Sequence, residues 1–123
     1  MQLYCGIDLH SNNSVVSLIN DNDQLICEKR LDNILEAIEH HLQAYQDAIS
    51  GVVVESTCNR YWLVDGLIEH GYPVRLANTL AIQQYNGIKY TSDETDARFL
   101  AHLLRLGILP TGYIYPKAMR HII

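Results

Sequence analysis

The stretch Gly51-Val52-Val53-Val54-Glu55 decides the fold. A short, continuously apolar run rich in β-branched residues is typical of a strand that is covered on both faces. Such strands belong to sheets flanked by helices, and sites in open α/β sheets lie at the carboxyl ends of the strands. The run therefore predicts an α/β protein and places Glu55 where a site would form. A buried glutamate without a partner would be costly, which favours a functional role.

The chain before this run predicts strands first and then one helix. Residues 2–9, 14–19 and 24–31 predict three strands that form an antiparallel meander, with a turn at residues 20–23. A helix follows, because apolar residues recur at steps of four and three: Ile34, Ile38, Leu42, Tyr45 and Ile49. We expect Asp32 or Asn33 to be its N-cap.

The chain after the run alternates helices and strands. Helices are predicted over residues 59–70, 79–85 and 93–106, and a strand over residues 73–77. The helix–strand units must be parallel, with right-handed crossovers. The element order βββαβαβαα resembles that of the ribonuclease H-like fold. It predicts a mixed five-stranded sheet in the order 3-2-1-4-5, flanked by helices.

Length and composition exclude several classes of protein. The 123 residues suffice for one domain, and 48% apolar with 19% charged residues is a globular balance. No apolar run is long enough to span a membrane, and no basic N-terminal region indicates a signal peptide. The three cysteines form no CxxC pair, so we expect neither a disulfide framework nor a zinc site, and a reducing, cytoplasmic location.

The net charge of −5 argues against a nucleic-acid binder that works through a basic patch. It does not argue against an enzyme that meets phosphates through metal ions held by carboxylates.

Four carboxylates are the candidate catalytic residues. Asp8 ends the first strand and Glu55 ends the fourth, so they converge if those strands are neighbours. Asp93 and Asp96 are three residues apart, so they share a face of the last predicted helix and are expected to turn toward the sheet. Asp8 also suits a strand-end turn. Asp93 and Asp96 also suit a helix N-terminus, where Thr91 and Glu94 fit a capping box.

Converging carboxylates predict a metal centre. Four such groups cannot all stay ionised at one place without cations. Mg²⁺ or Mn²⁺ prefers oxygen ligands, and a pair of such ions supports phosphodiester chemistry.

Four other residues are weaker candidates for binding nucleic acid. His10 lies two residues beyond Asp8 and points the same way if the strand continues, although it also suits polar surface. Asn59 follows Glu55 and either lines the pocket or caps a helix. Lys89 and Arg98 flank the aspartates and either hold phosphates or lie in solvent.

The chain resembles the N-terminal domain of the DEDD transposases of bacterial insertion sequences, the group that includes the Piv invertase. The resemblance runs from residue 3 to about residue 120. Four segments carry it: residues 6–11 (GIDLHS), 52–57 (VVVEST), 67–78 (LIEHGYPVRLAN) and 89–101 (KYTSDETDARFLA). Two departures stand out. Cys58 replaces a usual glycine, and the spacing from Lys89 to Asp93 is stretched.

The resemblance implies a RuvC-like DEDD catalytic domain over residues 1–115. Its acid tetrad would be Asp8, Glu55, Asp93 and Asp96, holding Mg²⁺ or Mn²⁺. Residues 116–123 would begin a helical segment leading to an absent C-terminal domain with a serine nucleophile. Full-length members act on DNA, guided by a structured bridge RNA, and dimerise through the helical segment. The isolated domain is accordingly expected not to complete strand exchange and to nick branched DNA weakly.

Other interpretations stay open at this point. One is a stand-alone RuvC-like DNA junction nuclease. Another is a non-catalytic module for nucleic-acid binding or dimerisation. An ATPase of the actin or sugar-kinase type is disfavoured, because residues 10–13 (HSNN) contain no glycine-rich phosphate turn.

Overall fold

The computed structural model describes residues 1–56, 59–88 and 95–122. Its strands, in chain order, are β1 (Leu3–Leu9), β2 (Asn13–Asn20), β3 (Leu25–Asp32), β4 (Ile49–Ser56), β5 (Val74–Ala77) and β6 (Thr111–Gly112). The α-helices are α1 (Leu35–Gln43), α2 (Tyr61–Glu69), α3 (Thr79–Ile82) and α4 (Asp96–Leu106). In the described ranges, 3₁₀ helices span Gln46–Ala48, Gln83–Ile88 and Lys117–Ile122.

The strands form one mixed sheet in the order β3-β2-β1-β4-β5-β6. Strands β1 and β4 are parallel neighbours, and β1, β2 and β3 form the predicted antiparallel meander. The predicted order 3-2-1-4-5 is therefore confirmed. The predicted count of five strands was one too low, because β6 adds a two-residue strand antiparallel to β5. So short a strand leaves no alternating pattern in the sequence.

The first helix is shorter than predicted. It ends at Gln43, and Ile49 already begins β4. Neither Asp32 nor Asn33 is its N-cap, which is Ile34, without a side-chain cap bond. The Asn33 amide instead donates to the carbonyl oxygen of His10 at 2.6 Å and contacts the Ser14 hydroxyl. This side chain ties the start of α1 to the β1–β2 connection.

The last helix begins three residues later than predicted. Thr95 has an extended backbone, and its hydroxyl accepts a hydrogen bond from the Arg98 N–H, so Thr95 is the N-cap and Asp96 the first helical residue. The predicted capping box of Thr91 and Glu94 lies outside the described residues, as does Asp93. Gly107 ends the helix with a φ of +75°, as a C-terminal glycine should.

The sheet separates two hydrophobic layers. Helices α1 and α2 pack against one face of the sheet. Together they form the larger core, which includes Ile7, Leu18 and Val54. The opposite face, with Val53, packs against α4. In the described residues, Cys5 is buried and Cys27 half-buried, and both are free thiols. No helix in this part of the chain is long and apolar enough to cross a membrane.

Helix α4 lies directly on the backbone of β1 at Gly6. A Cβ atom at this position would overlap the carbonyl oxygen of Ala97 and lie 2.9 Å from the Ala101 nitrogen. Ala97 and Ala101 are fully buried, so small residues on both sides allow the close approach. This contact sets the height of the helix above the sheet.

The far end of α4 is tied to the β2–β3 turn. Asp23, in the left-handed conformation with a φ of 62°, presents Oδ1 at 2.8 Å from Nδ1 of the buried His102. The same oxygen accepts a hydrogen bond from Arg105 Nε at 3.4 Å. One turn residue thus holds two residues of the last turns of the helix.

The C-terminal segment docks on α2 through an arginine. The guanidinium of Arg120 donates to both carboxylate oxygens of Asp65 at 2.6 and 2.9 Å, and it stacks on the Tyr61 ring at 3.6 Å. The Tyr61 hydroxyl in turn accepts a hydrogen bond from the Tyr115 N–H at 3.1 Å. These contacts hold residues 113–120 against the domain.

Substituting Gly6→Ala should lower the free energy of unfolding by about 1–3 kcal/mol, because the new methyl group must push α4 off the sheet. Chemical denaturation measures the loss. Gly87→Ala is the matched control, since a Cβ there meets nothing within 4 Å, and it should be close to neutral. Equal effects of the two substitutions would contradict the close contact.

The Asp65–Arg120 pair should make stability depend on pH. Hydrogen bonding from Arg120 lowers the pKa of the Asp65 carboxyl below its ordinary value of 3.8. The pair therefore stabilises the fold above pH 3.8, and this stabilisation is lost as the pH falls through the lower folded-state pKa. Melts of wild type and Asp65→Asn should differ most at neutral pH and converge in acid.

Glu69 provides the control for this prediction. Its pairing with Lys117 is largely exposed, at 3.4 Å, so Glu69→Gln should change the melting temperature little at any pH. A gap between wild type and Asp65→Asn that stays constant into acid would show that the ion pair does not contribute.

Candidate active site

Asp8 and Glu55 lie side by side at the carboxyl ends of β1 and β4. They are register partners in the parallel pairing of these strands. Side chains alternate along a strand, so both project from the face that carries Gly6, which is the face covered by α4. The convergence of these two acids follows from the observed neighbour relation of the strands.

Asp96 reaches the same region from the first turn of α4. It lines a cavity of about 210 Å³ together with Glu55, and the remaining lining residues are Thr79, Ile82, Gln83, Phe99 and Leu100. Asp96 is exposed, whereas the sequence predicted that it would turn away from solvent. The cap at Thr95 explains the difference, because it puts Asp96 at the open end of the helix instead of one turn inside it.

The carboxyl of Asp8 is partly buried and electrostatically coupled to its neighbours. Burial raises the pKa of Asp8, and the negative charge of Asp96 raises it further. His10 and Arg30 act in the opposite direction and lower it. His10 Nε2 lies 3.0 Å from Asp8 Oδ2, so the histidine contacts the acid directly, although its side chain is 53% exposed.

Arg30 faces the acids from across the sheet. Asp8 pairs with Val15 on β2, and Val15 pairs with Arg30 on β3, which sets all three on one face. The guanidinium donates to Asn13 Oδ1 at 2.6 Å. The role of this cation could not be predicted from the sequence, because its relation to Asp8 depends on the register of three strands.

The start of α4 is anchored to the meander through Glu28. Its Oε1 accepts a hydrogen bond from the Thr95 hydroxyl at 2.6 Å and also contacts the hydroxyl of the buried Ser17. Thr95 therefore caps the helix and joins it to β3, directly before Asp96. This network fixes the approach of Asp96 to the sheet and was not predicted from the sequence.

The weaker candidates have different outcomes. Asn59 lines a separate cavity of about 380 Å³ with Ser11, Asn33 and Trp62, and it is not a helix cap, since α2 is capped at Arg60. Arg98 is half-buried, and its Nε has no hydrogen-bond partner among the described residues. It is thus not the fully solvated charge that the sequence left open. Lys89 and Asp93 lie outside the described residues.

The donor chemistry of the site suits a hard divalent cation. Asp8, Glu55 and Asp96 offer carboxylate oxygens at one end of the sheet, and burial together with the negative charge of Asp96 raises the pKa of Asp8. Within the described ranges, however, no group of three or more His, Cys, Asp or Glu residues is close enough to hold a metal ion. The types of residue at this site therefore suit a divalent cation, whereas the described part of the chain supplies too few ligands to complete its coordination shell.

Comparison with known proteins gives the family. The profile of the IS110-type DEDD family, described as "Transposase", matches residues 5–119. The chain belongs to this family of transposases, as its sequence motifs predicted. No significant match was found among curated proteins.

Solved structures support the fold. The chain is similar to T. thermophilus RuvC in complex with a Holliday junction substrate, with a TM-score of 0.58 and 12% identity over 91% of this chain and 100% of that one. It is also similar to a ROK family transcriptional regulator, a homolog of the E. coli MLC protein. Here the TM-score is 0.50 and the identity 13%, over 68% of this chain and 31% of the other. The first likeness confirms the predicted RuvC-like fold.

Thr95→Ala should lower the free energy of unfolding by about 1–2 kcal/mol, because α4 loses its cap. The substitution also removes the hydrogen bond from the Thr95 hydroxyl to Glu28. Thr95→Ser keeps the hydroxyl and should restore most of the stability. Thr111→Ala, at an exposed position of β6, should stay within about 0.5 kcal/mol of wild type. If Ser and Ala behave alike at position 95, the hydroxyl does not anchor the helix.

Proposed function

We propose that this chain is the metal-dependent catalytic domain of a DNA transposase, acting on phosphodiester bonds at the carboxyl end of β1 and β4. Asp8, Glu55, Asp93 and Asp96 are its catalytic and metal-binding acids. The observation that carries the proposal is the register pairing of Asp8 with Glu55, with Asp96 lining the cavity beside Glu55. Membership of the transposase family supports DNA as the substrate.

Divalent ions, Mg²⁺ or Mn²⁺, would supply polarisation of the phosphate and an activated nucleophile when bound. The residues of the chain prepare the site for that chemistry. Asp8 and Glu55 offer oxygen ligands from the rigid sheet, and His10 orients the Asp8 carboxylate through Oδ2. Glu28 and Thr95 hold the start of α4 so that Asp96 lines the cavity that also contains Glu55.

The negative charge of the acids opposes binding of a DNA phosphate, and a nearby positive charge offsets part of this effect. Without cations, the carboxylates of the site repel a phosphodiester. The nearby positive charge of Arg30 offsets part of this repulsion, since it already lowers the pKa of Asp8. Arg30 thus moderates the negative charge of the site together with His10, whose effect on the pKa of Asp8 is the larger of the two.

The resemblance to full-length members supplies the wider context of the proposal. Residues 1–115 form the catalytic domain, and residues 116–123 begin a helical segment that leads to a C-terminal domain. The complete protein would act in the cytoplasm as a homo-oligomer guided by a bridge RNA.

One observation favours a second candidate function, a non-catalytic module for nucleic-acid binding or dimerisation. The described residues supply fewer than three metal ligands at one place. In that case the acids serve structure only, and divalent ions will not bind specifically. The two candidates therefore differ in their response to metal.

Millimolar Mn²⁺ or Mg²⁺ should raise the melting temperature of the chain, because the unfolded chain cannot gather the ligands. Asp8→Asn and Glu55→Gln should each remove most of this rise. In the absence of metal these variants should be as stable as wild type or more so, because like charges no longer repel. Thermal melts with and without metal measure both effects.

Asp47→Asn is the matched control, since Asp47 lies in the 3₁₀ helix at Gln46–Ala48, away from the acids. It should keep the full metal response. A rise of the same size in all variants would exclude the acids as a metal site and favour the non-catalytic module.

A further inference from the structure

We propose that a cavity beside the acids, called here the tyrosine cavity, binds one unpaired nucleotide of the DNA substrate. The cavity lies at the carboxyl ends of β4 and β5 and has a volume of about 350 Å³. Arg60, Tyr113, Tyr115 and Leu80 are among the residues that line it. The inference rests on the proposed function, because that function makes DNA the expected ligand at this edge of the sheet.

The tyrosine cavity adjoins the cavity of the candidate active site. Ser56, which lines it, directly follows Glu55 at the end of β4. Thr79 lines both this cavity and the one that contains Glu55 and Asp96. In this proposal, a strand whose phosphate lies at the acids passes Thr79 and places its next nucleotide in the tyrosine cavity.

The aromatic wall of the cavity suits a base. Tyr113 is 64% exposed, and its ring meets the Tyr115 ring edge-on, with centroids 4.8 Å apart. Tyr115 is held from behind, because its N–H donates to the Tyr61 hydroxyl. Exposed aromatic rings on a fixed backbone form the platforms on which unpaired bases stack without sequence preference.

The positive charge of the cavity suits a phosphate. Arg60 is half-buried, and its guanidinium lies 5.2 Å from the centroid of the Tyr61 ring. Among the described residues, no carboxylate forms an ion pair with Arg60. An arginine that pairs with no acid in the described part of the chain is a favourable contact for a polyanion, even though the net charge of the chain is −5.

The size and rim of the cavity favour a single strand over a duplex. A volume of about 350 Å³ matches small-ligand sites and leaves no room for paired bases. Leu80 projects at the rim with 80% of its surface exposed, which gives the entering base an apolar contact. The occupant is therefore one unpaired nucleotide next to the scissile phosphate.

Fluorescence anisotropy of a labelled oligothymidine with the complete chain tests the proposal. A chelator is present throughout, so that binding does not depend on metal at the acids. Tyr113→Ala should weaken binding about tenfold, whereas Tyr113→Phe keeps the ring and should bind like wild type. Arg60→Ala should weaken binding and lower the slope of log K against log salt by about 0.7.

Arg75→Ala is the matched arginine control, because Arg75 is exposed on β5 and lines a different cavity. It should change binding little. Equal losses for Arg60→Ala and Arg75→Ala, with no loss for Tyr113→Ala, would overturn the proposal in favour of unspecific charge. Tighter binding of oligouridine than of oligothymidine would overturn DNA as the occupant.

The binding experiment and the metal experiment can fail separately, so failure of the tyrosine cavity as a nucleotide site is distinguishable from failure of the proposed function. If wild type fails to bind oligothymidine, the tyrosine cavity is not a nucleotide site, while the metal response of the melting temperature still decides the role of the acids. If binding depends on Tyr113 but metal gives no acid-dependent stabilisation, the cavity stands and the catalytic proposal fails.

Discussion

The contact between α4 and Gly6 is the constraint on which the candidate site depends. A helix can carry Asp96 to the end of β1 only if its backbone lies close to the strand, and any side chain at Gly6 would prevent this. The buried Ala97 and Ala101 complete the contact from the helix side. Polar groups then orient the start of this closely packed helix, because Glu28 joins it to the meander.

Much of this arrangement follows from local sequence pattern. The valine run before Glu55 has the composition of a strand buried on both faces, and burial of that kind is typical of a sheet with helices on either side. The likeness of the element order to the ribonuclease H-like fold then predicts that β1 and β4 are neighbours, which brings Asp8 beside Glu55. The strands and helices themselves could be predicted because periodicity and burial act over a few residues and leave a direct trace in the sequence.

The features that the sequence did not predict depend on contacts distant in the chain. Thr95 is a good N-cap residue, yet the sequence of Thr91 and Glu94 matched the capping pattern equally well. The hydrogen bond from Thr95 to Glu28 is the distant contact that favours the observed cap. Arg30 faces Asp8 only because of the register of β1, β2 and β3. Nothing local to these residues distinguishes them from ordinary surface side chains.

The anchoring of α4 at Asp23 has a consequence for how the domain tolerates change. Short surface turns between strands commonly accept insertions, tags or circular permutation. The β2–β3 turn is different, because Asp23 in its left-handed conformation holds both His102 and Arg105. Lengthening this turn would release the end of the helix whose first residue is Asp96. The turn is thus a poor place to open the chain, although it lies at the opposite end of the sheet from the acids.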